Sequence, residues 1–128
     1  MPEPTIEERL QKRYILMTTD DTLVEAARAV TPEDWQPVPV SDLEQVGEWN
    51  DILLHRFLIL DADEAAAFDP VETVRLLRRE YMVNIPVIAV GGDQGLRDEL
   101  KMERADRFFE REQVGEVVSA FTGQYDWG

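Results

Sequence analysis

The sequence predicts a three-layer α/β fold, a (βα)5 doubly wound domain built on a five-stranded parallel sheet. Short apolar runs, Tyr14-Ile15-Leu16-Met17, Phe57-Leu58-Ile59-Leu60 and Val87-Ile88-Ala89-Val90, suit strands covered on both faces. Between them, apolar residues recur at helical spacing, and strands alternating with helices imply right-handed crossovers that wrap the sheet on both sides. The run at 57–60 ends directly in Asp61-Ala62-Asp63-Glu64. A buried strand thus delivers carboxylates to the rim where open α/β sheets place their sites.

Residues 1–13 form a charged, proline-containing lead-in, with a capping-box spacing between Thr5 and Glu8. The first strand, 14–17, ends in Thr18-Thr19-Asp20-Asp21. Leu23, Ala26, Ala27 and Val30 then give the first helix its apolar face, and Pro32 closes it. Pro37 and Pro39, beside Val38 and Val40, place a short second strand near a sheet edge, because proline cannot donate to the ladder. Leu43, Val46, Asn50 and Leu53 fall on one helical stripe capped by Ser41 or Asp42. After the third strand and a loop at 65–68, Asp69-Pro70-Val71-Glu72 reads as N-cap, N1 proline and capping-box glutamate. That helix turns Val71, Val74, Leu77 and Tyr81 inward and leaves Arg75, Arg78, Arg79 and Glu80 wet. The fourth strand, 87–90, runs into Gly91-Gly92-Asp93-Gln94-Gly95, which offers backbone amides for an anion but lacks P-loop or dinucleotide spacing and is read as a flexible turn. A helix with Leu96 and Leu100 follows, then a fifth strand at 106–110 and a last helix faced by Val114, Val117, Val118 and Phe121. The domain is expected over 14–122, with 123–128 as a tail.

Composition narrows the function. A chain of 128 residues fits one domain, and the absence of cysteine excludes disulfides and thiolate metal sites. No apolar run approaches the roughly 18 residues of a membrane span, and no signal-peptide profile opens the chain, so a cytoplasmic location and no membrane partner are expected. The formal net charge of −14 repels phosphate backbones, which argues against nucleic acid and favours cations or basic protein surfaces, although solubility or a salty cytoplasm explains the acidity better than any specific partner does. His55 has no second histidine to work with and is read as structural or exposed rather than catalytic.

In a five-stranded doubly wound sheet the ends of strands one and three are neighbours, which would bring Asp20 and Asp21 to Asp61. Three carboxylates at one rim repel each other, and Mg²⁺, which takes one or two carboxylates and keeps several waters, would relieve them. These residues resemble the receiver domain of bacterial two-component response regulators, a flavodoxin-like fold. The resemblance runs over about residues 14–121. It rests on the acidic pair after strand one, the run ending in Asp61, Ile85-Pro86-Val87-Ile88 leading into strand four, and Ala105-Asp106-Arg107-Phe108 at strand five. It implies Asp61 as phosphoacceptor, with Asp20, Asp21, Asp61 and the backbone carbonyl of Asp63 holding Mg²⁺ and Phe108 as the switch aromatic. A histidine kinase or phosphotransfer protein would supply the phosphoryl group. A downstream protein effector would read it, and the face of helix four, strand five and helix five would serve a dimer.

The chain departs from that pattern where the family carries Thr or Ser at the end of strand four and Lys-Pro after strand five. Gly91 and Arg111-Glu112 stand there instead. Arg111 keeps the charge, but its planar fork is not a point charge, and Gly91 has no hydroxyl to move. Three functional classes follow: an atypical receiver phosphorylated on Asp61, a phosphorylation-independent pseudo-receiver that recognises a protein, and, with least support, a Mg²⁺-dependent phosphotransfer enzyme using Asp61-Ala62-Asp63 as a DxD motif.

Overall fold

Alternation within the inner strands decides the layers, since successive side chains of a strand point to opposite faces. In the computed structural model, which describes residues 11–124, Ile15, Met17, Leu58, Leu60, Val87 and Ala89 pack into one apolar layer. Tyr14, Leu16, Phe57, Ile59, Ile88 and Val90 pack into the other. The readings on residues 1–10 and on Tyr125 and Trp127 lie outside the described residues.

The elements are β1 (Lys12–Met17), α1 (Asp21–Val30), β2 (Trp35–Val40), a 3-10 turn (Leu43–Gln45), α2 (Trp49–Ile52) and β3 (Leu58–Asp61). Then come α3 (Pro70–Arg75), continuing into a π-helical turn (Leu76–Glu80), β4 (Val87–Val90), α4 (Gln94–Met102), β5 (Arg107–Phe109), a second 3-10 turn (Arg111–Gln113) and α5 (Val114–Gln124). The sheet has the order β2-β1-β3-β4-β5, all parallel. Helices α1 and α5 cover the face carrying the aromatic cluster of Tyr14, Trp35, Phe57 and Phe121. The other helices cover the opposite face.

Several local readings are corrected. β1 begins at Lys12, and β2 runs back to Trp35; it lies at the sheet edge, where Pro37 and Pro39 cost no ladder bond. The stripe from Leu43 to Leu53 is not one helix. Gly47, at φ +132°, breaks it, and a Cβ there would lie 2.2 Å from Asp51 Oδ2, the carboxylate that caps the Glu48 amide. Leu53 is consequently exposed while Ile52 is buried. In α1, Leu23 and Ala27 face inward and Ala26 and Val30 do not. Asp69 caps α3 as expected, but Glu72 pairs with Arg75 rather than reaching back to the cap.

The largest correction is Arg78, which is 5 % exposed rather than wet. The wide π-helical turn lets the consecutive residues Leu77 and Arg78 both face inward, and Met82, at φ +56°, completes the reversal. Arg78 then donates to the carbonyls of Val83 (2.8 Å), Ile85 (2.9 Å) and Arg104 (3.2 Å) and to Asp106 Oδ2 (2.9 Å). That carboxylate oxygen also accepts from the Val87 amide, so the clamp fixes where β4 and β5 start.

Candidate functional site

The carboxyl end of the sheet is where β1 and β3 run out together. Met17 pairs with Leu60, so the next residue along β1, Thr18, lies level with Asp61. Asp61 is 2 % exposed, and the Thr18 hydroxyl donates to its Oδ2 at 2.6 Å. The same hydroxyl accepts from the Asp20 amide at 3.0 Å, which holds the start of α1 against the site. Asp20 is the N-cap of that helix, with Oδ1 accepting from the Thr22 amide, and its Oδ2 is left to face the rim.

Arg111 fills the centre of the site. It stands at the first position of the 3-10 turn after β5, anchored by a reciprocal capping box between Glu110 and Gln113. One terminal nitrogen donates to Asp61 Oδ1 and to Asp63 Oδ2 (3.3 Å). The other donates to Asp61 Oδ2 (3.0 Å) and to Asp20 Oδ2 (2.7 Å). The hydrogen bond with Asp61, followed by that with Asp20, holds the guanidinium well above its ordinary pKa despite partial burial. In return Arg111 holds the Asp20 carboxyl below its usual value, with the Thr22 amide assisting.

Asp63 joins through its side chain. Its Oδ1 accepts from the Gly92 amide at 2.9 Å and its Oδ2 faces Arg111. Gly91 and Gly92 have φ values of +83° and +80°, a consecutive left-handed pair that suits glycine and turns the Gly92 N–H toward this carboxylate. A Cβ on Gly91 would lie 2.2 Å from Asp63 Oδ2. Of the two readings of this turn, the anion cradle is the one the Gly92 amide fits, and the anion is the chain's own. Beyond it, Arg97 of α4 donates to the carbonyls of Gly91 and Phe109, both at 3.0 Å, tying the ends of β4 and β5 to that helix.

The structure thus brings Asp20, Asp61, Asp63, Gly91 and Arg111 together. Asp21 sits apart, exposed at the first position of α1, where it lines a shallow depression with Arg28, Ser41 and Gln45 on the β2 side. Phe108 on β5 is partly buried against the core beneath α4. His55 is buried, with its Nδ1 3.0 Å from the Asp51 carbonyl oxygen, and burial pushes its pKa down. Reading the sequence for carboxylates passed over Thr18. Counting strand ends would have found it, because the residue after Met17 is level with the one after Leu60.

No family model and no curated relative matches the chain. Its architecture does match solved structures. The phosphorylated cyanobacterial phytochrome response regulator RcpA superposes with a TM-score of 0.73 at 12 % identity, covering 91 % of this chain and 95 % of its own. A response regulator receiver protein from Pseudoalteromonas atlantica gives a TM-score of 0.67 at 15 % identity, covering 88 % and 93 %. This is the receiver fold. A third example is the receiver domain of a sensor histidine kinase from Pseudomonas aeruginosa, with a magnesium ion coordinated in its active-site cleft. It gives a TM-score of 0.59 at 17 % identity over 88 % and 98 %. At these identities the likeness to the receiver fold is one of architecture. Among the described residues no helix is long and apolar enough to cross a membrane.

Proposed function

We propose that this domain is a receiver-type signalling module that acts through protein contacts, with Asp61 clamped rather than phosphorylated. One observation carries the reading: the acceptor capacity of Asp61 is full. A carboxylate has about four lone-pair positions. Those of Asp61 receive the Thr18 hydroxyl, the Asp63 amide at 3.0 Å and both terminal nitrogens of Arg111. An oxygen in that state has no free electron pair aimed at solvent, and nucleophilic attack requires one. The departures from the family pattern act together here, since Gly91 leaves room for Asp63, and Asp63 helps seat Arg111. Arg97 further ties down the strand ends a phosphorylation switch would have to move. The partner is a protein surface with basic character, which the net charge of −14 would attract.

A second reading is acceptance of a phosphoryl group on Asp61 from a partner's phosphohistidine, followed by an effector that reads it. The convergence of Asp20, Asp61 and Asp63 on one point supports it. In that step a P–O bond forms at Asp61 as the P–N bond breaks, and Arg111 must first leave. The DxD enzyme reading gains nothing from the structure. Such an enzyme needs a lysine downstream of its DxD strand, and Lys101, the one lysine after Asp63 in the sequence, lies in the last turn of α4, at the far end of that helix from the Gly92 amide and the site. Incubation with acetyl phosphate and MgCl2, followed by intact-mass measurement, separates the first two. An unchanged mass is expected, and a gain of one phosphoryl group that is lost in Asp61→Asn would establish the second.

A further inference from the structure

We infer that the Arg111 guanidinium is this domain's resident cation, and that it excludes a divalent metal from the acidic site. The residues do not fit Mg²⁺ as they stand. A metal at the rim would need a lone pair of Asp61, and all are engaged. Asp20 and Asp63 each spend one oxygen on a backbone amide, of Thr22 and Gly92, and the other on Arg111. Among the described residues no group of three or more acidic or histidine side chains is disposed to hold an ion. The guanidinium instead lies among the three carboxylates, each bonded to it directly, and its planar fork meets both Asp61 oxygens at once.

The arrangement is built rather than incidental. The capping box of Glu110 and Gln113 fixes the turn that presents Arg111, the missing Cβ of Gly91 makes room for Asp63, and the Thr18 hydroxyl orients Asp61. Taking the guanidinium away would leave three carboxylates facing one another with one of them buried. Such a set favours a hard cation that accepts oxygen ligands and retains water. The metal site is therefore latent: Arg111 takes its place. With the guanidinium gone the three carboxylates have still to draw together on an ion, since as they stand no group of three acids among the described residues is disposed to hold one.

The inference deepens the reading of Asp61 as clamped, yet it fails separately, because metal occupancy and phosphoryl transfer are read by different measurements. The test uses the full chain and its Arg111→Gln variant in thermal melts with MgCl2 against NaCl of equal ionic strength. The wild-type melting temperature is expected to match its NaCl control. Arg111→Gln should gain about 5 °C at saturating Mg²⁺, and adding Asp61→Asn should abolish that gain. Should Arg111→Gln be unfolded without metal, folding on addition of MgCl2 is the expected result, and a chain that stays unfolded overturns the inference. Water-proton relaxation with Mn²⁺ tests the wild type independently of any variant. Saturable Mn²⁺ binding by the wild type, a wild-type Mg²⁺ shift equal to that of Arg111→Gln, or a folded Arg111→Gln with no Mg²⁺ response would each overturn it. A phosphoryl adduct on a wild type that binds no Mn²⁺ would instead remove the clamped reading while leaving metal exclusion intact.

Discussion

Two arginines hold the two ends of this sheet, and they do so with opposite chemistry. Arg78, at the end where β4 and β5 begin, satisfies three backbone carbonyls and one carboxylate. Arg111, at the end where β1 and β3 finish, satisfies three carboxylates. The side chain of Arg78 is 4 % exposed and that of Arg111 is 27 % exposed. Carbonyl dipoles neither titrate nor attract a metal away from their donor, so the carbonyl share of the first clamp does not respond to conditions and serves the fold. The second binds carboxylates at a rim that solvent reaches through Asp20 and Asp63, and it holds the Asp20 carboxyl below its usual pKa. The same residue type closes the fold at one end and, in the function proposed above, governs the acidic rim at the other, because its acceptors differ.

The comparison is sharpest in what removal should do. Arg78→Met is expected to cost roughly 3–5 kcal/mol, since buried carbonyls and the Asp106 carboxylate lose their partner. Urea unfolding should show it as a lower midpoint at unchanged m-value, and a loss under about 1 kcal/mol would mean the carbonyls find other donors. Arg111→Gln should cost less at neutral pH, about 2 kcal/mol, because water reaches the rim and solvates the freed acids. The two penalties should also part with pH. Arg111 holds Asp20 below its ordinary value, so the favourable contribution of Asp20 is complete above about pH 4 and is lost as pH falls through the lowered folded value. The Arg111→Gln penalty should accordingly shrink as pH falls below about 4, while the part of the Arg78→Met penalty that comes from the buried carbonyls persists. An Arg111 penalty constant down to pH 2 would break the distinction.

Smaller effects probe how the rim clamp is assembled. Gly91→Ser places a side chain on a left-handed residue and against Asp63, and should cost about 1.5 kcal/mol. The diagnostic outcome is non-additivity with Arg111→Gln, measured by a double-mutant cycle, because Gly91 acts on Arg111 through Asp63. Additive losses would show the two positions to be independent. Thr18→Val keeps shape and removes two hydrogen bonds, the one given to Asp61 and the one accepted from the Asp20 amide, an expected loss of about 1.5 kcal/mol. A cost near zero would mean that the Thr18 hydroxyl does little to orient Asp61.

Legibility followed the range of the interaction that decides each feature. The runs ending in Met17, Leu60 and Val90 revealed three central strands, because burial on both faces leaves a local compositional trace. Asp69 announced α3 through a cap that acts within three residues. The stripe at Leu43 to Leu53 misled, since its spacing suits a helix but Gly47 breaks it. Arg78 looked solvated because a regular helical period places it outward, and only the π-helical turn brings it in.

Read alone, the sequence determined the (βα)5 order and the delivery of Asp61 to the rim of the sheet, because hydrophobic periodicity and capping are written in neighbouring residues. It also showed that Gly91 and Arg111 stand where a hydroxyl and a lysine are usual in the family it resembles. What tertiary structure decided was which groups Asp61 meets. Thr18 reaches it through strand register, Arg111 through a turn fifty residues away, and Asp63 is seated by the missing Cβ of Gly91. Contacts between residues far apart in sequence depend on where the backbone carries them, and periodicity has no term for that distance.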